Sequence, residues 1–217
     1  VATQAEADAF RMRHGLGRKP LLMVLPGSRR GEVARLGERF GAAVKLLKAR
    51  NPDMQTVVPA AGPVAQAVLD LTSTWPDRLV LDPREGSYES AIAEKRSAFA
   101  AADVALAASG TVSLELAASR TPMVIAYDMS PLSRIIISRM MLVDTVTLVN
   151  LVSETRTVPE FIGTACTPEA IAAGLDAVIA APEAQRAAMD ITMERLGRGG
   201  EDPGLRAARA VLEGLKP

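Results

Sequence analysis

The chain has one cysteine and one histidine in 217 residues, and each scarcity removes a class of function. A lone Cys166 cannot build an internal disulfide framework and fits a reducing compartment. A lone His14 leaves no histidine-rich metal site, and no Asp or Glu falls at a metal-ligand spacing, so neither a metal nor a cofactor is expected. A charge surplus is missing too, since Lys+Arg and Asp+Glu both total 25. Nucleic-acid binding draws on a basic excess that neutralises phosphates, so no nucleic-acid partner is expected. Long apolar runs are also lacking. Val1 to Pro20 is mixed polar with no signal-peptide core. No stretch reaches the ~20 apolar residues that span a bilayer, and the longest apolar segment, Ile135 to Val143, is interrupted by Arg139. The expectation is a soluble, cytoplasmic chain that touches a membrane surface at most.

What is present is an apolar content of 48%, enough to bury a sizeable core. Short β-branched runs alternate with longer helical patterns. Strands are predicted at Leu21–Leu25, Thr56–Pro59, Arg78–Leu81, Val104–Ala108, Met123–Tyr127 and Thr145–Val149. Helices are predicted at Gly31–Lys48, Val64–Leu71, Ser90–Ala102, Val112–Ala118 and Leu132–Leu142. Beyond Pro159 the chain reads as helical, over Pro168–Ala180, Glu183–Leu196 and Pro203–Leu215. Strands alternating with helices predict an α/β fold, a doubly wound, Rossmann-like parallel sheet covered on both faces. Such a sheet takes ligands outside the C-terminal ends of its strands. Function is therefore sought in the loops after the first, third, fourth and sixth predicted strands.

The first strand ends in Leu25-Pro26-Gly27-Ser28-Arg29-Arg30-Gly31-Glu32. Gly27 lets backbone approach a ligand closely, Ser28 can cap the next helix, and Arg29 offers a forked donor suited to phosphate. Together they can make an anion site at a helix start; alone, the turn reads as an ordinary strand-to-helix connection. The fourth strand runs into Ser109-Gly110-Thr111-Val112-Ser113-Leu114-Glu115, a second small-residue turn opening a helix. Thr111 and Glu115, four apart, share a helix face. A carboxylate there can accept from the two hydroxyls of a ribose while the turn holds phosphates; alone, it reads as a solvated residue on a capped helix. Two such turns at one sheet edge carry more weight than either. Asn150, at the end of the predicted sixth strand, can place its amide over a ligand or cap a turn.

Other chemistries find no footing. No G-x-G-x-x-G, no G-x-x-x-x-G-K-[ST] and no G-x-S-x-G occurs, which argues against a dehydrogenase, a P-loop hydrolase and an α/β-hydrolase. His14 precedes the first strand and reads as a polar helix-end residue, and Cys166 as a structural thiol. Asp82 and Glu85 follow the third strand, with no second group to pair them for acid–base work. The segment Leu132–Leu142 is apolar around most of its circumference, its charges being Arg134 and Arg139. It reads either as a buried helix or as a patch that leans on acyl chains or anionic headgroups.

In order, these motifs resemble the lipid-A-disaccharide synthase family. The matching stretches are Leu25 to Arg29, Ala108 to Leu116, Thr121 to Tyr127, Met129 to Leu132, Asn150-Leu151 and Val158 to Phe161. The resemblance covers nearly the whole chain and implies the C-terminal half of a two-domain enzyme of GT-B type. Residues 1–19 would end the interdomain connection, residues 20–217 would form the nucleotide-sugar-binding domain, and the N-terminal acceptor domain would be absent. The implied reaction transfers 2,3-diacylglucosamine from UDP to 2,3-diacylglucosamine 1-phosphate, with inversion and without a metal. The implied partners are the UDP-sugar donor, the lipid acceptor and the missing domain, with a homodimer and a peripheral place on the inner membrane also in view. Gly27, Ser28, Arg29, Ser109, Gly110 and Thr111 would hold the diphosphate, Glu115 the ribose, and Asn150 would lie near the donor sugar. The general base would lie in the other domain, leaving this chain no catalytic residue. Two positions depart from the family: Asp128 stands where a basic residue is common, and Gly163 where a glutamine is usual. Another UDP-N-acetylglucosamine transferase of this fold, a sugar-nucleotide epimerase, or a non-catalytic nucleotide-sugar-binding module remains open. Apolar positions on the last two predicted helices, among them Met189, Met193, Leu196, Val211, Leu212 and Leu215, are expected to leave an uncovered face.

Overall fold

Aliphatic runs too short for helices pair side by side, all in the same direction. In this computed structural model, which describes residues 1–128, 144–201 and 203–214, the strands are β1 (Leu21–Leu25), β2 (Gln55–Pro59), β3 (Arg78–Leu81), β4 (Val104–Ala107), β5 (Met123–Tyr127) and β6 (Glu160–Ile162). They form one sheet in the order β3-β2-β1-β4-β5-β6, and every neighbouring pair is parallel. β1 and β4 lie level, from Leu22 beside Val104 to Leu25 beside Ala107.

The helices are α1 (Gln4–Arg13), α2 (Arg30–Arg50), α3 (Ala65–Thr72), α4 (Tyr88–Ala101), α5 (Val112–Ala118), α6 (Leu148–Ser153), α7 (Pro168–Ala180), α8 (Glu183–Arg195) and α9 (Pro203–Gly214). Strand side chains alternate between faces. Leu22 and Val24 join Val33, Phe40 and Val44 of α2, Val68 of α3 and Ile171 and Leu175 of α7. Leu21, Met23 and Leu25 join Phe10 of α1, Phe99 of α4, Leu116 of α5, Val149 of α6 and Met189 of α8. Both faces are covered, as a parallel sheet requires.

The first nineteen residues dock on this body. Phe10 is fully buried, a contribution of about 1.5–3 kcal/mol for a large apolar side chain. The Arg11 guanidinium donates to the carbonyls of Ala101 and Lys19 and to Asp103, whose carboxylate also accepts from the Leu21 N–H. His14 closes α1 and bonds Glu94 of α4, a helix-end role.

The predicted strands at Arg78–Leu81 and Met123–Tyr127 and the predicted helices at Val112–Ala118 and Pro168–Ala180 are observed with the same bounds. The predicted sixth strand is not. Residues 145–147 are irregular and Leu148 begins α6, while β6 lies at Glu160–Ile162, beyond Pro159, where helices from Pro168 onward and no further strand are predicted. The Glu160 carboxylate explains the exchange. It accepts from the Thr145 hydroxyl at 2.6 Å, the Val146 N–H at 3.1 Å and the Thr147 N–H at 2.7 Å, the two N–H groups being donors a strand would use in its ladder.

The uncovered face expected on the final helices also divides. On α8, Met189 is fully buried and Met193 packs against the core. On α9, Leu205, Val211 and Leu212 are more than 60% exposed. Leu215 and the segment Met129–Leu142, including the predicted helix at Leu132–Leu142 and its membrane contact, lie outside the described residues. No helix among the described residues is long and apolar enough to cross a membrane.

Candidate functional site

The connection from β1 enters α2 on one face of the sheet, and that from β4 enters α5 on the other. Neighbouring strands whose connections part in this way leave a crevice at their C-terminal ends. A cleft of about 510 Å³ occupies that crevice. Gly27, Ser28, Arg29, Ser109, Gly110, Thr111 and Glu115 all line it. Seven of the eight residues singled out in the sequence therefore meet in one place. Ala60, Ala61 and Gly62, after β2, line it as well; the sequence reading had passed over that loop.

Two glycines shape the walls. Gly27 has φ +124° and Gly110 φ +147°, conformations that side chains resist. At Gly27 a Cβ would also lie 2.6 Å from Glu32 Cβ. That closeness exposes a correction. Ser28 does not cap α2; Glu32 folds back instead. Its Oε2 accepts from the N–H groups of Ser28 at 3.0 Å and Arg29 at 3.3 Å, and its Oε1 takes Arg29 Nη1 at 2.8 Å. The anion position at the start of α2 is thus filled by the chain's own carboxylate, while the Arg29 side chain remains 81% exposed.

Across the cleft, Glu115 is ion-paired as well. Lys95 of α4, which sequence reasoning did not single out, donates to Glu115 Oε2 at 2.7 Å. The lysine Nζ stands 5.2 Å from the centroid of the Phe99 ring, one helical turn on. No motif marks Lys95, because its partner is twenty residues away and only the fold brings them together. A second cavity, of about 410 Å³, adjoins this wall and shares Pro59, Ala60, Pro83 and Lys95 with the first.

Asn150 is the residue the fold does not bring here. It lies in α6 rather than at a strand end, and it is fully buried. Its Nδ2 donates to the Val158 carbonyl at 2.9 Å and its Oδ1 accepts the Val158 N–H at 3.0 Å. Both ends of the amide are engaged in holding α6 to the chain before β6, so the amide is not presented to the cleft.

The remaining candidates resolve on local chemistry. Asp82 has a partner after all: Arg84 donates to both its oxygens, at 2.6 to 3.0 Å. That hydrogen bonding holds its carboxyl below the usual range, against a smaller opposing effect of burial. A carboxylate so stabilised is a poor general base. Burial pushes the Cys166 thiol up, in keeping with a structural residue. Asp128 is buried and receives Arg39 Nη1 at 2.7 Å, so its carboxylate is matched by a cation from α2. Gly163 has φ +62°, a turn that favours glycine over glutamine. Among the described residues no group of three or more His, Cys, Asp or Glu could hold a metal ion.

The largest cavity described, about 720 Å³, lies elsewhere, at the N-terminal ends of β1, β4 and β5. Its size does not make it the site, because the two glycine turns and Glu115 converge at the opposite edge.

Comparison with known proteins bears on the family and the fold. A family model described as lipid-A-disaccharide synthetase matches residues 3–207. A lipid-A-disaccharide synthase of Ruegeria pomeroyi is 60% identical over 215 residues, covering 99% of this chain and 54% of that protein. Another, of Paramagnetospirillum magneticum, is 41% identical over 224 residues, covering 100% of this chain and 55% of that protein. The chain thus spans about half the length of these relatives. Among solved structures, E. coli ADP-heptose LPS heptosyltransferase II superposes with a TM-score of 0.61 at 14% identity, over 84% of this chain and 54% of that one. The C-terminal CMP-Kdo binding domain of WaaA from Acinetobacter baumannii gives 0.56 at 12% identity, over 90% of this chain and 100% of that one. These likenesses show an α/β Rossmann-like domain of the kind found in GT-B glycosyltransferases.

The Asn150 assignment has a direct test. Asn150→Ala leaves the Val158 N–H and C=O buried without partners, each costing about 1–3 kcal/mol. Urea unfolding should show a loss on the order of 2–6 kcal/mol. A variant as stable as the parent would mean that the amide serves something other than the fold.

Proposed function

We propose that this chain, which belongs to the lipid-A-disaccharide synthase family, is the donor-binding half of a transferase. In this reading it holds the UDP of UDP-2,3-diacylglucosamine while a 2,3-diacylglucosamine 1-phosphate acceptor attacks the sugar. The products are lipid A disaccharide 1-phosphate and UDP. The observation that carries the reading is the convergence of Gly27–Arg29, Ser109–Thr111 and Glu115 on one cleft at the β1/β4 crevice.

Each wall has a task. Glu115 accepts from the ribose hydroxyls. The turn at Ser109–Thr111 and the exposed Arg29 receive the diphosphate, whose negative charge draws the guanidinium from Glu32. Stabilising the departing diphosphate lowers the barrier to transfer, because charge builds on it as the bond to the sugar breaks. The attacking hydroxyl must also lose a proton to a base. Of the two carboxylates that line the cleft, Glu32 accepts the Ser28 and Arg29 N–H groups and Glu115 is ion-paired to Lys95, and Asp82 is held by Arg84. The base is accordingly assigned to the half of the protein outside this chain.

The likeness to a C-terminal sugar-nucleotide-binding domain supports reading this as the C-terminal half, with residues 1–19 leading in from the other domain. The exposed Val211 and Leu212 of α9 support a contact with that other half. The place of action is the cytoplasmic side of the inner membrane, where the acyl chains of such substrates are anchored.

Calorimetric titration tests donor binding. The chain should bind UDP, and no detectable binding by folded protein at millimolar ligand would refute the reading. Losing a charge-assisted hydrogen bond costs about 1.5–3 kcal/mol. Glu115→Ala should therefore weaken UDP and uridine alike by that amount. Arg29→Ala should weaken UDP and spare uridine, which lacks the phosphates. Incubated with both lipid substrates, the chain alone should yield no disaccharide by mass spectrometry; turnover would place the base within it.

A further inference from the structure

We propose that Lys95 is a positioning residue for donor binding, one that sets the Glu115 carboxylate before the nucleotide arrives. The inference rests on the reading of Glu115 as the ribose acceptor. Glu115 lies one turn into α5, a seven-residue helix, and its side chain is 51% exposed. Such a carboxylate would sample several rotamers, and ordering it on binding would weaken the complex. Lys95 restricts that freedom. Its Nζ holds Oε2 at 2.7 Å, while Oε1 has no hydrogen-bond partner among the described residues and can take a hydroxyl.

The lysine is itself anchored. Its ammonium stands 5.2 Å from the Phe99 ring centroid, within reach of a cation–π attraction. Phe99 is buried in the core of that face, so the ring is fixed. A chain of contacts therefore runs from the packed core through the ring and the ammonium to the carboxylate. An exposed ion pair of this kind adds little to stability. Its consequence lies in binding, because Lys95 and Glu115 line the same cleft.

The alternative role for a cleft lysine is a direct bond to phosphate, and the two roles separate by ligand. A positioning lysine acts on every ligand that uses Glu115, with or without phosphates. A phosphate-binding lysine acts only on the phosphorylated ones.

The experiment compares the parent chain with Lys95→Met and Lys95→Arg, titrated with uridine, UDP and 2′,3′-dideoxyuridine diphosphate. Lys95→Met should weaken uridine and UDP by the same factor, about three- to tenfold for releasing one side chain. It should leave the dideoxy ligand unchanged, and Lys95→Arg should restore most of the loss. An effect on UDP but not on uridine would overturn the proposal in favour of a phosphate contact. Unchanged affinities for all three ligands would overturn it and leave the donor-binding reading intact. If the parent binds neither uridine nor UDP, both fall together. Thermal unfolding of each variant guards the comparison, and Lys95→Gln, which keeps a polar stem, replaces Lys95→Met should that variant not fold.

Discussion

The level, parallel pairing of β1 with β4 is the constraint on which the rest of the molecule depends. Both strands are buried on both faces, so neither can shift without moving its aliphatic set into the wrong layer. Their helices leave to opposite faces, and the two connections must part at the C-terminal edge. The crevice follows from connectivity, before any side chain in it is chosen. Each connection then needs a glycine, because the backbone turns through a positive φ at Gly27 and at Gly110.

The crevice is lined with charge that is matched in place. Arg29 is held by Glu32 on one wall and Lys95 by Glu115 on the other. In the proposed reading a diphosphate would exchange the Arg29–Glu32 pair for an external one while Lys95 stays on Glu115, so the net gain at Arg29 is the difference between two charge-assisted bonds. That is a physical reason to expect modest affinity for such a ligand from this chain. It also explains why a charge-neutral composition is compatible with an anion-binding site: the local arrangement matters, and the total does not.

Much of this was legible in the sequence. Strands buried on both faces appear as continuous aliphatic runs, and the first five were placed within a residue or so. The two glycine turns and Glu115 stand out in the sequence as candidates, and the fold brings them to one cleft. The failures share a cause. Thr145-Val146-Thr147-Leu148-Val149 has the β-branched alternation of a strand, but Glu160 captures two of its N–H groups, of Val146 and Thr147, from fourteen and thirteen residues away. The true last strand, β6, has three residues, too few to show a period. Asn150 was misplaced along with the false strand, and its amide serves Val158. Lys95 meets Glu115 only because α4 and α5 cover the same face of the sheet. Glu32 could have been foreseen, since a glutamate three residues after a helix start is the spacing of a residue that folds back on the first turn.

The central claim is that the β1/β4 crevice is the nucleotide site, and backbone amide NMR with added UDP tests it most directly. The account predicts that the amides of Gly27, Ser28, Ser109, Gly110 and Thr111 shift progressively with ligand, together with those around Glu115. Residues at the opposite edge, such as Arg18, Arg120 and Thr121 beside the larger cavity, should stay where they are. Shifts concentrated at that opposite edge, with the two glycine turns unmoved, would contradict the account.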